Sequence, residues 1–423
     1  MQNKITITSP ALTISGAWAP FQVRAASLAL TIMALVLCTD MLSGALRYYL
    51  SQVGLDFLIY LPKAACLFFV VHEIMRKPLE RAFFYMLLFL FLFAGIGFIH
   101  QTGFAAQLFA IFLISPFLFG AVSVRYIIER ENAFVVLLAV VFFVTALGVV
   151  LDVYLDLPWS GYVYQLAGSE IEGSREWSTF GLERVSGFAR MSTSAAFYLV
   201  CGALFLYSYF RSRWSKLMVL LVAFPTVFAT TNKAGIGGLV LGFAALMISR
   251  VPRLLKVSVY GLAAMTAFLP FSTVVRSYQV DLSDPVSVAL LASFEDRLIN
   301  TWPNFLAEVA KFGNPAIGVG FGGVGSAVKY FSHGSQVSLA VADNFALYLY
   351  GCFGLVSVVI LLYFAHVAVT LFASRERLAR SLAPVMVALL AASLTTDVIE
   401  AQVFALILGI AIVFSHKITV PIH

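Results

Sequence analysis

Long apolar runs dominate this chain and limit what it can fold into. A helix needs about 20 apolar residues to cross a hydrocarbon layer. Twelve stretches meet or approach that length: 25–46, 53–72, 82–100, 104–124, 132–151, 193–210, 215–231, 234–250, 254–273, 341–370, 382–396 and 399–415. Of the 423 residues, 61% are hydrophobic and only 11% charged, where a soluble domain carries about 25% charged residues. No soluble fold of this length covers so much apolar surface, so lipid must solvate much of it. The expected fold class is all-α: one polytopic membrane domain over residues 1–423 with about 12 transmembrane helices.

The distribution of charge gives an orientation. Cytoplasmic loops of membrane proteins carry an excess of Lys and Arg. With the N-terminus inside, the inner loops read RKPLER (76–81), VRYIIER (124–130), RSRWSK (211–216), RVPRLLK (250–256) and RERLAR (375–380). With Lys4, Arg24 and Lys417, the inner side then holds 17 of the 27 basic residues, while 16 of the 21 acidic residues fall outside. Both termini are therefore expected in the cytoplasm. Residues 1–20 lack the layout of a signal peptide and read as a cytoplasmic tail before a retained anchor. The net charge of +6 is spread over many loops. No basic tract is long enough to follow a phosphate backbone, so nucleic acid is not an expected partner.

Two outer segments, 152–192 and 274–340, are too long to be simple connections. The second carries Leu291, Phe294, Leu298, Trp302, Phe305, Leu306, Val309 and Phe312 at spacings of three and four, a pattern of amphipathic helix. Asp284-Pro285 is a good helix start, and Pro303 is expected to break or kink the helix after Trp302. Short amphipathic helices lying on the outer membrane surface are the expectation for these loops.

Outer basic residues oppose the sign bias of their compartment and so draw notice. Arg184 and Arg190 flank a glycine in RVSGFAR, and Arg297 lies in SFEDRLINTWPNF. A guanidinium fits phosphate in a bidentate way; salt bridges to Glu183, Glu295 or Asp296, or contact with lipid headgroups, explain the same residues structurally. Lys233 in ATTNKAGIGG opens a helix. It is either part of an anion site at a helix N-terminus or a snorkelling interface lysine. The run NPAIGVGFGGVGS, with Gly320 and Gly322, can form a backbone nest for anions or a plain irregular loop. Asp343 and Asn344 stand at the mouth of the span 341–370, with His333 nearby. Asp343 is a candidate general base or a helix N-cap. The four cysteines fall in apolar runs without paired spacing, as packing residues do. No His/Cys cluster has zinc spacing, and no metal or other cofactor is expected.

RVSGFARMSTSAAFYLV (184–200), TTNKAGIGGLVLGF (230–243), FEDRLINTWPNFLAEVAKFGNPAIGVGFGGVGS (294–326) and ADNFALYLYGCFGLVSVV (342–359) occur in this order. Their order, spacing and outer-side placement resemble the O-antigen polymerase and ligase superfamily, the Wzy-type polymerases and their ligase relatives. The resemblance implies a C-type, metal-independent glycosyltransferase in the bacterial inner membrane, acting on undecaprenyl-diphosphate-linked glycans at the periplasmic face. A chain-length-regulating co-polymerase is an implied further partner, beside membrane lipids.

Carried onto this sequence, Arg184 matches the arginine of the family's Arg-x-x-Gly. Arg297 matches the arginine ahead of the Trp and the Gly-rich run. Lys233 stands where the family usually has arginine. Ligases usually place a histidine beside the asparagine matching Asn344; here that neighbour is Asp343, which favours a polymerase over a ligase, and His333 lies out of register. Asp343 is expected to deprotonate an acceptor hydroxyl while Arg184, Arg297 and Lys233 neutralise the departing diphosphate. Such charge stabilisation is worth about 3–4 kcal/mol per group. Arg190, Gly320, Gly322, His333 and Asn344 are expected to bind diphosphate or glycan, with Trp302 and Phe321 stacking on sugars. A flippase or other transporter is the non-enzymatic alternative; it predicts charges through the membrane centre and short outer loops.

Overall fold

A computed structural model describes residues 19–76, 81–166, 169–174, 178–179, 182–280, 282, 284–331 and 335–419. In lipid every backbone N–H and C=O must be satisfied within the protein, so apolar runs of this length become helices. The chain begins with α1 (Ala19–Met41), α2 (Ser43–Gln52), α3 (Leu61–Arg76), α4 (Arg81–Ile99), α5 (Phe104–Leu113), α6 (Ser115–Glu129) and α7 (Glu131–Tyr154). Two antiparallel hairpins follow, β1 (Val163–Leu166) with β2 (Ser169–Glu172) and β3 (Ser178–Thr179) with β4 (Leu182–Glu183). The chain returns to helix in α8 (Ser192–Tyr209), α9 (Arg213–Ala229), α10 (Lys233–Ile248) and α11 (Pro252–Val275). The second long loop holds α12 (Pro285–Asp296), α13 (Trp302–Phe312) and α14 (Ser326–Phe331). Helices α15 (Phe345–Phe353), α16 (Val356–Ala373), α17 (Arg377–Ala392) and α18 (Gln402–Thr419) complete the bundle.

Among the described residues, five helical segments are long and apolar enough to cross a membrane, or seven if each of two bent pairs counts as one span. The segments Phe83–Ile99, Lys233–Ile248 and Gln402–Lys417 are apolar but shorter. The expected first span, 25–46, ends early: α1 stops at Met41 and α2 turns away by 85°. The expected single run 341–370 is two helices, because Leu355 N–H donates to the Ala316 carbonyl (3.0 Å) and the glycine-rich run is seated in the break.

Helices α8, α17 and α18 form the centre and bury most of their residues, while α4, α7, α9, α11 and α16 leave large apolar side chains exposed. Polar side chains tie the centre together, as they do between helices in hydrocarbon. Asp40 on α1 accepts from Tyr198 Oη (3.0 Å) on α8 and Gln402 Nε2 (2.9 Å) on α18. At the far end from the long loops, Tyr209 donates to Glu131 (2.7 Å), and Arg377 donates to the Tyr209 carbonyl.

The first long loop differs from expectation in holding hairpins in place of amphipathic helices. The second matches: Asp284 caps α12 by accepting from Ser287 N–H (3.0 Å), and α13 buries Trp302, Phe305, Leu306 and Val309. Pro303 does not end a helix at Trp302. It lies in the first turn of α13, and a π-turn, Arg297–Thr301, precedes it. Proline lacks the N–H that would bond four residues back, and the backbone widens there into a π-turn, a feature that often marks functional sites.

Candidate functional site

Four segments far apart in sequence meet at the end of the bundle that carries the long loops. The first is the turn after β4. Asp152, at the end of α7, accepts from the backbone N–H of Ser186 and of Gly187 (2.8 Å each). Trp159 Nε1 donates to the Gly187 carbonyl (2.9 Å). Gly187 has φ +63°, and a Cβ there would lie 2.8 Å from the backbone of Gly148 and Val149. Only glycine lets this turn press onto α7, and the turn carries Arg184, half-buried, toward the second and third segments.

The second segment opens α10. Asn232 is its N-cap, accepting from Gly235 N–H (2.7 Å) and donating to Thr193 Oγ1 (2.8 Å). Lys233 is the first helical residue and is exposed. The third segment is the π-turn. Arg297 Nη1 donates to the Ser293 carbonyl (2.8 Å), and Nη2 lies 3.2 Å from Asp343 Oδ2. Its Nε is buried without a hydrogen-bond partner. Arg184, Lys233 and Arg297 stand close enough to repel one another. Burial, with Arg297 beside it, lowers the Arg184 guanidinium from its ordinary range.

The fourth segment opens α15. Asn344 is the cap, accepting from Leu347 N–H (3.0 Å) and donating to the carbonyls of Leu394 (3.0 Å) and Thr266 (3.3 Å). Asp343 is therefore not the cap. It has φ +49°, a conformation uncommon outside glycine. Thr231 repeats the arrangement ahead of α10, with φ +51° before the Asn232 cap. Burial raises the Asp343 carboxyl above the ordinary carboxylate range; the Arg297 guanidinium opposes that shift and Asp296 adds to it. Behind Asp343, Asp397 lies beside the backbone of Asn344 and Ala342. Burial foremost, then the carboxylates of Glu400 and Asp343, push Asp397 well above the ordinary range. The site thus gathers three cations, one of which, Arg297, is paired with the Asp343 carboxylate. Like charges converge at a cost that an anion relieves, and such clusters mark functional sites.

Several expected residues stand elsewhere. Arg190 Nε donates to the Glu172 carbonyl (2.8 Å) and its N–H to Ser43 Oγ (3.0 Å), tying the first hairpin to α2. Gly320 (φ +101°) and Gly322 (φ +85°) are buried against protein: a Cβ would lie 2.2 Å from Gly97 N at the first and 2.9 Å from Gln107 Cα at the second. They pack the run onto α4 and α5 and do not form an open anion nest. Trp302 is fully buried, edge-to-face with Phe294 at 5.7 Å, so it offers no face to a sugar. Phe321 is buried too. Asn344 is fully engaged in capping, so its amide is not free to bind substrate. His333 lies outside the described residues.

Sequence reading missed Asp152, Asn232 and Ser293. The Asn-capped helix start was a legible signal at Asn232; nothing local marks Asp152. Asp397 stands out in the sequence only as one of several charges at outer helix ends, with Asp40, Arg47, Asp56, Lys63 and Glu400. Among the described residues no group of three His, Cys, Asp or Glu is placed to hold a metal ion. No protein-family model and no curated protein matches this chain.

Proposed function

We propose that the chain is a polytopic glycosyltransferase of the inner membrane, with about twelve spans, a C-type architecture and both termini cytoplasmic. It polymerises undecaprenyl-diphosphate-linked repeat units into O-antigen or exopolysaccharide at the periplasmic face. The observation that carries this reading is the convergence of Arg184, Lys233 and Arg297, with Arg297 paired to Asp343.

Chemically, an acceptor hydroxyl oxygen bonds to the donor's anomeric carbon as that carbon's bond to the diphosphate oxygen breaks. The electron pair leaves on the diphosphate, which the three cations stabilise. The hydroxyl proton passes to Asp343. In the free site Asp343 is paired with Arg297. Diphosphate competes for that guanidinium, so donor binding frees the carboxylate to act as base. The raised pKa of Asp343 improves it as a proton acceptor.

The glycan made by a deletion strain tests the function. Surface glycan reduced to single repeats is expected. Loss of lipid-A-attached polymer, with long lipid-linked chains accumulating, would identify a ligase. Repeat units trapped on the cytoplasmic side would identify a flippase.

A further inference from the structure

Away from the charged site, an apolar cavity of about 380 Å³ lies between α4 on one side and α6, α15, α16 and α18 on the other. The wall formed by α4 is attached mainly at the site end. There Phe321 N–H donates to the Phe93 carbonyl (2.9 Å), Gln107 Nε2 donates to Ala94 (2.8 Å), and the Phe93 ring meets Phe353 at 5.0 Å. Toward the other end α4 stands off, and Phe83, Met86 and Leu90 face the cavity. On α18, Leu408, Ile412 and His416 line it over about 12 Å of helix axis.

An empty apolar cavity costs stability in proportion to its volume, and water would find few partners here. The Tyr363 hydroxyl on its wall is already engaged, bonding to His416 Nε2 (2.8 Å). A narrow hydrocarbon chain running along the helices suits both the shape and the polarity. His416 lines the cavity and is exposed, so the cavity opens beside it; the neighbouring Lys417 is exposed as well. A basic residue at the mouth of an apolar slot complements an anionic headgroup.

We propose that this cavity holds one acyl chain of an anionic phospholipid whose headgroup lies beside His416 and Lys417. The lipid would be a resident of the fold, distinct from any glycan carrier at the charged site, and the proposal stands whatever Asp343 does.

The test is native mass spectrometry of the full chain purified in mild detergent, with retained lipid identified by fragmentation. Wild type is expected to keep one phospholipid, enriched severalfold in anionic headgroups over the source membrane. Ile412→Trp, which fills the slot, should elute as folded protein without that lipid. Ile412→Phe serves the same purpose if the larger ring prevents folding. Lys417→Glu should keep a phospholipid but lose the anionic enrichment. Wild type that retains no phospholipid or a polyprenyl phosphate instead would overturn the proposal. So would folded slot-filling variants that keep the lipid, or an unchanged headgroup preference in Lys417→Glu.

Discussion

Asp343 and Asn344 are neighbours with different jobs, and their substitutions should separate. Asn344 caps α15 and bonds two buried carbonyls. Asn344→Ala should lower thermal stability by at least the ~1 kcal/mol typical of a lost cap, with orphaned buried carbonyls adding to it. Asp343 caps nothing. Asp343→Asn should therefore express and melt like wild type while polymerisation falls about 10²–10⁴-fold, the range for removal of a general base. Near-normal polymer from that variant would eliminate Asp343 as the base and turn attention to His333. The pH profile carries the same assignment. The ionised carboxylate is the active form, and burial raises its pKa. Activity should thus fall as pH drops through a point above the ordinary carboxylate range, and removing Arg297, which holds that pKa down, should move the acid limb of residual kcat/KM to higher pH. An acid limb at the ordinary carboxylate value would contradict the burial.

At the scale of elements, the π-turn sets the position of Arg297. Pro303→Ala restores an N–H to the first turn of α13 and allows a regular helix through Arg297–Thr301. The protein should remain folded, while activity falls about tenfold or more as the guanidinium moves; full activity would mean that the turn does not position it. Gly187→Ala should act on both stability and activity, because the added Cβ meets the α7 backbone and displaces the turn bearing Arg184.

These elements also show what sequence reading can and cannot reach. Helix α13 was legible because its apolar residues repeat at helical spacing. The same pattern already places Trp302 on the buried face, against a role in stacking on sugars. Glycine-rich runs serve ligands and close packing alike, and only the proximity of Gly97 and Gln107 decides for packing at Gly320 and Gly322. The pairing of Arg297 with Asp343 joins residues 46 apart in sequence, a separation that periodicity does not bridge.

At the scale of the whole molecule, Arg184, Lys233, Arg297 and Asp343 lie at one end of the bundle, and helix ends that flank basic loops meet at the other through Glu131, Tyr209 and Arg377. That separation follows from hydropathy and charge alone, which is why the sequence anticipates it. The bends after α1 and within 341–370 depend on long-range seating of loops and were not legible. The orientation predicts that cysteines introduced as Gln165→Cys and Tyr330→Cys react with an impermeant reagent added from the periplasm. Arg213→Cys should stay protected in intact cells; its labelling would invert the topology.

The central claim is that three converging cations form a diphosphate site. Titration of purified protein with undecaprenyl diphosphate tests it most directly, comparing wild type with Arg184→Ala, Lys233→Ala and Arg297→Ala. Each lost charge-assisted contact is worth about 1.5–3 kcal/mol, so each single variant should bind about tenfold or more weakly. Arg297→Lys should also weaken binding, because it keeps the charge but loses the fork. Affinity unchanged across all three alanine variants would contradict the account.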